Sequence, residues 1–185
     1  MELVRPAFRR TGTWLQAGKY VAALMSDLPR RNGRTIARQA GDRSPDRTQR
    51  LLNRAAWDDA ATAGAVRRFA VDGLDQAAAR RRGRRPLAAG ALDETGQEKH
   101  GIATAGVKRQ HMGCAGGVEN GISTVHLSYV REHAGHALIG ARQWVPADQI
   151  AGPVRSLEMA LPLDLEFRAK GQLAIGILAT RARTE

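Results

Sequence analysis

The apolar residues in the first half of the chain recur at helical spacing and predict four helices. The segment TWLQAGKYVAALMSDL, residues 13–28, places its leucines near a period of about 3.6 residues, and a proline follows it. A short candidate helix, GRTIARQAG, covers residues 33–41 and ends at a glycine. Two further segments, at residues 42–57 and 58–78, continue the same pattern. The first half is therefore predicted to be helical.

The third of these helices has the clearest start signal. Ser44 is a candidate N-cap, Pro45 suits the first helical position, and Asp46 favours the first turn. Within this helix we expect Leu51 and Leu52 to face the core. Local chemistry thus supports the boundary that periodicity indicates.

After residue 86 the pattern changes to the short apolar runs and the alternation that are typical of strands. The runs LAAGALD, GIATAGV, GISTVHLSYV and HALIGARQWV predict strands at residues 87–93, 101–107, 121–130 and 136–145, with glycines between them. The first run predicts a buried strand that ends at Asp93. KGQLAIGILATRA, residues 170–182, predicts a single covering helix. One helix leaves a sheet face bare, which suggests a chain cut short.

The arginine-rich segment RRRGRRP, residues 80–86, separates these two patterns and has the composition of a linker. The predicted organisation is a helical region at residues 1–79, the basic linker, and a sheet region at residues 87–185. The fold class is α/β: a helical N-terminal region followed by an incomplete mixed sheet.

Charge is distributed unequally between the two regions. The formal net charge is +11, and residues 1–86 hold 19 Lys and Arg against 8 Asp and Glu, whereas residues 87–185 hold 10 of each. This asymmetry favours a polyanionic partner, nucleic acid above all, for the first half. The alternative is a solvated surface in an arginine-rich proteome, since 25 of the 29 basic residues are Arg.

The segment TIARQAGDRSPDRTQRLLNRA, residues 35–55, has the form of a helix-turn-helix that binds double-stranded DNA. Its second helix carries side chains that bind guanine or adenine in the major groove: Arg47, Gln49, Arg50, Asn53 and Arg54. The alternative is an ordinary helical hairpin with a solvated charged face.

The arginine run in the linker is a candidate for contact with DNA phosphates rather than bases. Its members are Arg80, Arg81, Arg82, Arg84 and Arg85. The alternative is a flexible linker, and both descriptions are compatible.

Asp93 is the candidate for metal-dependent chemistry. A carboxylate at the end of a buried strand is where hydrolytic enzymes hold Mg²⁺, which prefers hard oxygen ligands. The alternative is that Asp93 or Glu94 caps a strand or turn. The chain has one cysteine, no signal peptide and no apolar run long enough for a membrane span, so we expect a cytoplasmic protein.

In their order along the chain, these segments resemble the bacterial insertion-sequence transposases of the DDE endonuclease superfamily. The resemblance extends from about Ser26 to Leu178. Its most specific parts are DETG at residues 93–96, GVKRQ at 106–110, VEN at 118–120 and GHALI at 135–139.

The resemblance implies an RNase H-like catalytic domain that cuts and joins transposon-end DNA with three carboxylates and two Mg²⁺ ions. The first catalytic carboxylate corresponds to Asp93, and Lys108, Arg109 and Gln110 would lie near the DNA backbone. Relatives carry the second Asp and the Glu after the segment that ends at Leu178, and we expect this chain to lack both.

One carboxylate does not hold two Mg²⁺ ions at the ~3.5–4 Å separation that such chemistry needs. We therefore expect the chain alone to be inactive. Its partners would be transposon ends and a second copy or an intact transposase, in the bacterial nucleoid. The alternative function is a non-catalytic end-binding remnant that inhibits an intact transposase.

Overall fold

A computed structural model describes residues 1–80 and 86–182, with side-chain surroundings given as far as residue 179. The chain divides into two compact units, Met1–Arg68 and Phe69–Glu185. None of the described helices is long and apolar enough to cross a membrane.

The first unit is helical, as predicted. A 3-10 helix, Glu2–Ala7, precedes α1 (Thr11–Leu24), α2 (Gly33–Gln39) and α3 (Asp46–Asn53), and α4 (Asp59–Ala79) begins in this unit. The helices α1, α2 and α3 pack on one another. A small apolar cluster of Val4, Phe8 and Ala65 lies beside them, with the Phe8 ring stacked on Trp57.

The start of α3 differs from the prediction by one residue. Pro45, not Ser44, is the N-cap, and no side chain caps the helix. The Ser44 hydroxyl donates to the Asp46 carboxylate at 2.8 Å and accepts the Asp46 N–H at 3.4 Å. Leu51 is buried as expected, but the prediction for Leu52 is wrong, since its side chain is 59% exposed.

The second unit contains a four-stranded sheet in which every described pairing is antiparallel. Its strands are β1 (Ala88–Glu98), β2 (Lys108–Met112), β3 (Gly117–Arg131) and β4 (Gly135–Gln143). β3 is central: β1 pairs along one side, and β2 and β4 follow one another along the other. The α/β class is confirmed, and the arrangement is consistent with part of an RNase H-like fold.

Alternate residues of β3 divide the sheet into two faces. Val125, Leu127 and Tyr129 form the core with Ile139 of β4 and Ile177 of the last helix. The second half of α4 covers the same face with apolar side chains. On the opposite face, the side chains of β3 are only partly buried. The strand predicted from the alternation in GISTVHLSYV is therefore confirmed, and the structure shows that the face with Val125, Leu127 and Tyr129 is the buried one.

The strand predicted at residues 101–107 is wrong, because these residues form turns before β2 begins. Gly101 and Gly106 have positive φ angles of 92° and 82°, which a strand does not contain. The buried Gln149 side chain accepts the Gly106 N–H at 2.8 Å and donates to the Val107 carbonyl at 2.7 Å. The Gln149 side chain thus forms the hydrogen bonds that a neighbouring strand would otherwise form with this backbone.

Three helices follow the sheet: α5 (Ala147–Ala151), α6 (Pro153–Glu158) and α7 (Lys170–Ala182). The helix predicted at residues 170–182 is confirmed. Of the three residues expected on one face of it, Leu173 and Ile177 pack on the sheet, whereas Leu178 is 42% exposed. Gly140 permits this contact, because a Cβ atom there would lie 2.5 Å from the Ile177 side chain.

We predict that Ile177→Ala lowers the free energy of unfolding by about 2–5 kcal/mol, since it opens a cavity in the sheet core. Ile175→Ala is the matched control on the same helix: its side chain is 67% exposed, and the loss should stay within about 0.5 kcal/mol. Urea unfolding followed by circular dichroism measures both. Equal losses for the two variants would contradict the packing of α7 described above.

Candidate functional site

Asp93 lies in the middle of β1, at the edge of the described sheet. The predicted end of the strand at Asp93 is wrong, because the polar residues after it pair with β3 as far as Glu98. The predicted burial is also wrong: every residue of β1 except Gly96 is exposed. An apolar run of small residues is compatible with either position, and β1 pairs with β3 on one side only. The Asp93 carboxylate is therefore open to solvent.

The hydrogen bonds of β1 show which backbone groups face its free edge. Glu132 N–H donates to the Leu87 carbonyl at 3.0 Å, and Lys99 N–H donates to the Asn120 carbonyl at 2.9 Å. In an antiparallel pair such bonds recur at every second residue, so the N–H of Glu94 points away from β3. The Asp93 carboxylate accepts this N–H at 2.8 Å. The carboxylate thus lies at the free edge.

Asp93 and Glu94 have different surroundings although they are adjacent. Glu94 pairs with Val125 on the core face, and its carboxylate lies 2.9 Å from the Lys170 ammonium. That ammonium also lies over the Trp144 ring, 5.4 Å from its centroid. Asp93 pairs with His126 on the opposite face and forms no ion pair with any described residue. Glu94 is neutralised by a fixed cation, whereas Asp93 is not.

The residues around Asp93 fit one ligand position of a magnesium site. Its carboxylate supplies the hard oxygen that Mg²⁺ prefers, while the imidazole of His126 suits softer metals better. Within residues 1–80 and 86–182, no group of three or more His, Cys, Asp or Glu side chains is placed to hold a metal. The described donors therefore do not complete a two-metal site. His126 was missed from the sequence, because only the strand register places it opposite Asp93.

The three polar residues predicted to follow the DNA backbone all lie on β2, across β3 from Asp93. The Lys108 ammonium bonds to Asp148 at 3.1 Å and thereby lowers the pKa of that carboxyl. Arg109 is exposed, and the Gln110 amide donates to the Gly121 carbonyl at 3.0 Å. Only Arg109 therefore leaves its polar group unengaged by another described residue.

In the first unit, the predicted DNA-binding residues of α3 separate into two groups. Arg47, Arg50 and Arg54 line a groove of about 560 Å³, together with Arg9, Arg10 and the first turn of α1. Gln49 and Asn53 are exposed but do not line it. Arg9 and Arg10 were missed from the sequence, where they are only a basic pair ahead of a helix.

Asp42 fixes the turn between α2 and α3. Its side chain is only 3% exposed, and it accepts hydrogen bonds from Lys19 at 2.9 Å and Gln16 at 2.8 Å. The Arg47 guanidinium lies 3.9 Å away. The hydrogen bonds from Lys19 and Gln16 lower the pKa of Asp42 below its ordinary value of 3.8, so it is charged at neutral pH.

Of the arginines in the predicted linker, Arg80 is exposed directly after α4. The other four, Arg81, Arg82, Arg84 and Arg85, lie outside the described residues. Their contact with phosphates stays a prediction.

We predict that Asp42→Asn lowers the free energy of unfolding by about 1.5–3 kcal/mol at pH 7, the value of a hydrogen bond to a charged group. A lowered pKa in the folded state contributes stability above the unfolded pKa and loses it as pH falls through the folded pKa. The difference from the wild type should therefore begin to shrink below about pH 4.

Thermal unfolding between pH 2.5 and 7 measures this difference. Asp27→Asn, at an exposed aspartate of the same unit, is the control and should leave stability unchanged. A loss in Asp42→Asn that stays constant down to pH 2.5 would contradict the role assigned to the Asp42 charge.

Comparison with known proteins identifies the family. The family model described as DDE superfamily endonuclease matches residues 3–185, which is nearly the whole chain. No curated protein and no solved structure matches the chain. The match covers both the helical unit and the sheet that carries Asp93. The chain therefore belongs to the DDE superfamily of endonucleases.

Proposed function

We propose that the chain takes part in bacterial DNA transposition, in which its helical unit binds transposon ends and Asp93 serves the cleavage and strand-transfer site. The observation that supports this best is the state of Asp93: an exposed carboxylate on a sheet of a DDE endonuclease, without a described cation to neutralise it.

The part of Asp93 in this chemistry is to offer one oxygen ligand to Mg²⁺, which when bound stabilises the charge that develops on the reacting phosphate. The Glu94 N–H orients the carboxylate through its 2.8 Å hydrogen bond. Lys170 neutralises Glu94, so the second acid adds little repulsion beside the first. Arg109 is exposed on β2, and its proposed role is to contact the DNA backbone.

We further propose that the chain by itself does not cut DNA. A two-metal reaction needs several carboxylates around ions ~3.5–4 Å apart, and Asp93 supplies one. The remaining ligands would come from outside the described residues, for example from an intact transposase that pairs with this chain. Asp93 is then necessary for the reaction but not sufficient.

A nicking assay with the purified chain, supercoiled plasmid and Mg²⁺ or Mn²⁺ tests this proposal. We expect no nicked product. Nicking that Asp93→Asn abolishes, and that the control Glu98→Gln retains, would contradict the inactivity but support Asp93 as a metal ligand. Nicking that persists in Asp93→Asn would contradict both statements.

The helices α2 and α3 support the proposal that the first unit reads transposon-end DNA. They form a helix–turn–helix arrangement that α1 holds in place. Gln49 and Asn53 are exposed on α3, and amide side chains pair with adenine in the major groove. One observation favours a DNA-binding role without catalysis. The exposed amides of α3 and the helices that support them all belong to the first unit, whereas Asp93 belongs to the second.

Selection of binding sites from a random duplex pool tests sequence reading by α3. We expect the wild type to enrich one motif, and Gln49→Ala or Asn53→Ala to relax it at one base pair, by about 1–3 kcal/mol for each base contact. Gln39→Ala, at the end of α2, is the control. Enrichment of no motif by the wild type would contradict sequence-specific end binding.

If the chain inhibits an intact transposase instead, an excess of it should reduce strand transfer by that enzyme. The reduction should need an intact Asn53 but not Asp93. This outcome would support the alternative function of an end-binding inhibitor.

A further inference from the structure

We propose that the groove between the N-terminal segment and α3 is a cradle for the phosphate backbone of duplex DNA. We name it the arginine groove; its members are Arg9, Arg10, Gly12, Thr13, Gln16, Arg47, Arg50, Leu51, Arg54, Ala55 and Ala56. The inference rests on the proposed DNA-binding function of the first unit. It specifies that the groove binds the phosphate backbone of the DNA, and it names the residues that do so.

The arginine groove carries a concentration of positive charge. Five of its lining residues are arginines and none is acidic. Arg9, Arg10 and Arg50 form no ion pair with any residue in the described part of the chain, and Arg54 likewise forms none. Like charges gathered in one groove repel one another unless a polyanion neutralises them. The groove is thus built for a ligand with several negative charges.

The start of α1 adds a second source of positive potential. Arg10 is the N-cap of this 14-residue helix, and no side chain caps it. The first N–H groups of a helix have no partner within the helix and favour anions. Gly12 is in open space, since a Cβ atom there would meet nothing within 4 Å. A phosphate therefore has access to these N–H groups between the flanking arginines.

The geometry of α3 separates backbone contact from base reading. Arg47, Arg50 and Arg54 follow one another at intervals of three and four residues, so they share one face of the helix. That face lines the arginine groove, whereas Gln49 and Asn53 lie on another. The one amide in the groove, Gln16, is already bonded to Asp42.

A groove with guanidinium groups and no free amide matches phosphates, which fix the register of a protein on DNA without reading its sequence. The expectation that all five polar residues of α3 read bases is accordingly replaced. The three arginines bind the backbone, and the two amides are left to read bases.

Fluorescence anisotropy of the full chain with a labelled duplex of arbitrary sequence, in metal-free buffer over a series of salt concentrations, tests the proposal. Each lost phosphate contact reduces the slope of log K against log salt by about 0.9. We expect Arg9→Gln/Arg10→Gln to reduce it by about 1.8 and Arg50→Gln by about 0.9, equally on every sequence tested. Arg30→Gln, which removes an exposed arginine outside the groove, should change the slope little.

Two further variants separate charge from folding. Arg9→Lys/Arg10→Lys keeps the charge and should keep most of the slope, and circular dichroism checks that each variant is folded. Slopes unchanged in the folded Arg9→Gln/Arg10→Gln variant would overturn the proposal. So would a wild type that binds no duplex, that prefers duplex RNA, or that inorganic phosphate displaces at equal ionic strength.

The result is independent of the nicking assay and of site selection. Binding with the expected slopes but without a selected motif would sustain the arginine groove and contradict only the proposed sequence-specific binding of transposon ends. If the expected changes in slope are absent but a motif is still selected, the arginine groove is contradicted and sequence-specific binding of DNA is sustained.

Discussion

The antiparallel pairing of β3 determines the rest of the second unit. β1, β2 and β4 all bond to this strand and to no other described strand. Its buried residues Val125, Leu127 and Tyr129 form the face on which Ile177 packs. The same register sets Asp93 on the opposite face from that core. A slip of one residue between β1 and β3 would turn the Asp93 carboxylate into the core face, so the position of the candidate site depends on this pairing.

The first unit depends on the placement of charge rather than on a large apolar core. The buried carboxylate of Asp42 accepts hydrogen bonds from Lys19 and Gln16, and the Arg47 guanidinium lies 3.9 Å from it. These contacts stabilise the turn before α3. Four arginines of the arginine groove, Arg9, Arg10, Arg50 and Arg54, form no ion pair with a described residue, whereas Arg47 lies close to Asp42. Most of the positive charge of the groove is thus left for a ligand.

Most elements were predictable from the sequence, whereas their surroundings were not. The alternation of GISTVHLSYV predicted β3 and the two sets of residues that share a face, because successive side chains of a strand point to opposite faces. It did not say which of the two faces is buried. The exposure of β1 was not predictable, since small apolar residues fit an edge strand as well as a buried one. Residues 101–107 form turns because Gln149, more than forty positions away, bonds to their backbone. Arg9 and Arg50 line the same groove because of tertiary packing, which no local sequence pattern indicates.

The bond between the Asp93 carboxylate and the Glu94 N–H has a consequence for solubility. An exposed edge strand offers unpaired backbone groups to other chains and invites aggregation. Here the carboxylate accepts the hydrogen bond of an N–H in the middle of that edge. β1 also carries two acids that form no ion pair with a described residue, Asp93 and Glu98, and it has no basic residue. Two such edges repel each other when they approach. The acid proposed to hold metal therefore also opposes edge-to-edge pairing through β1, and an ion that takes its oxygen weakens this effect.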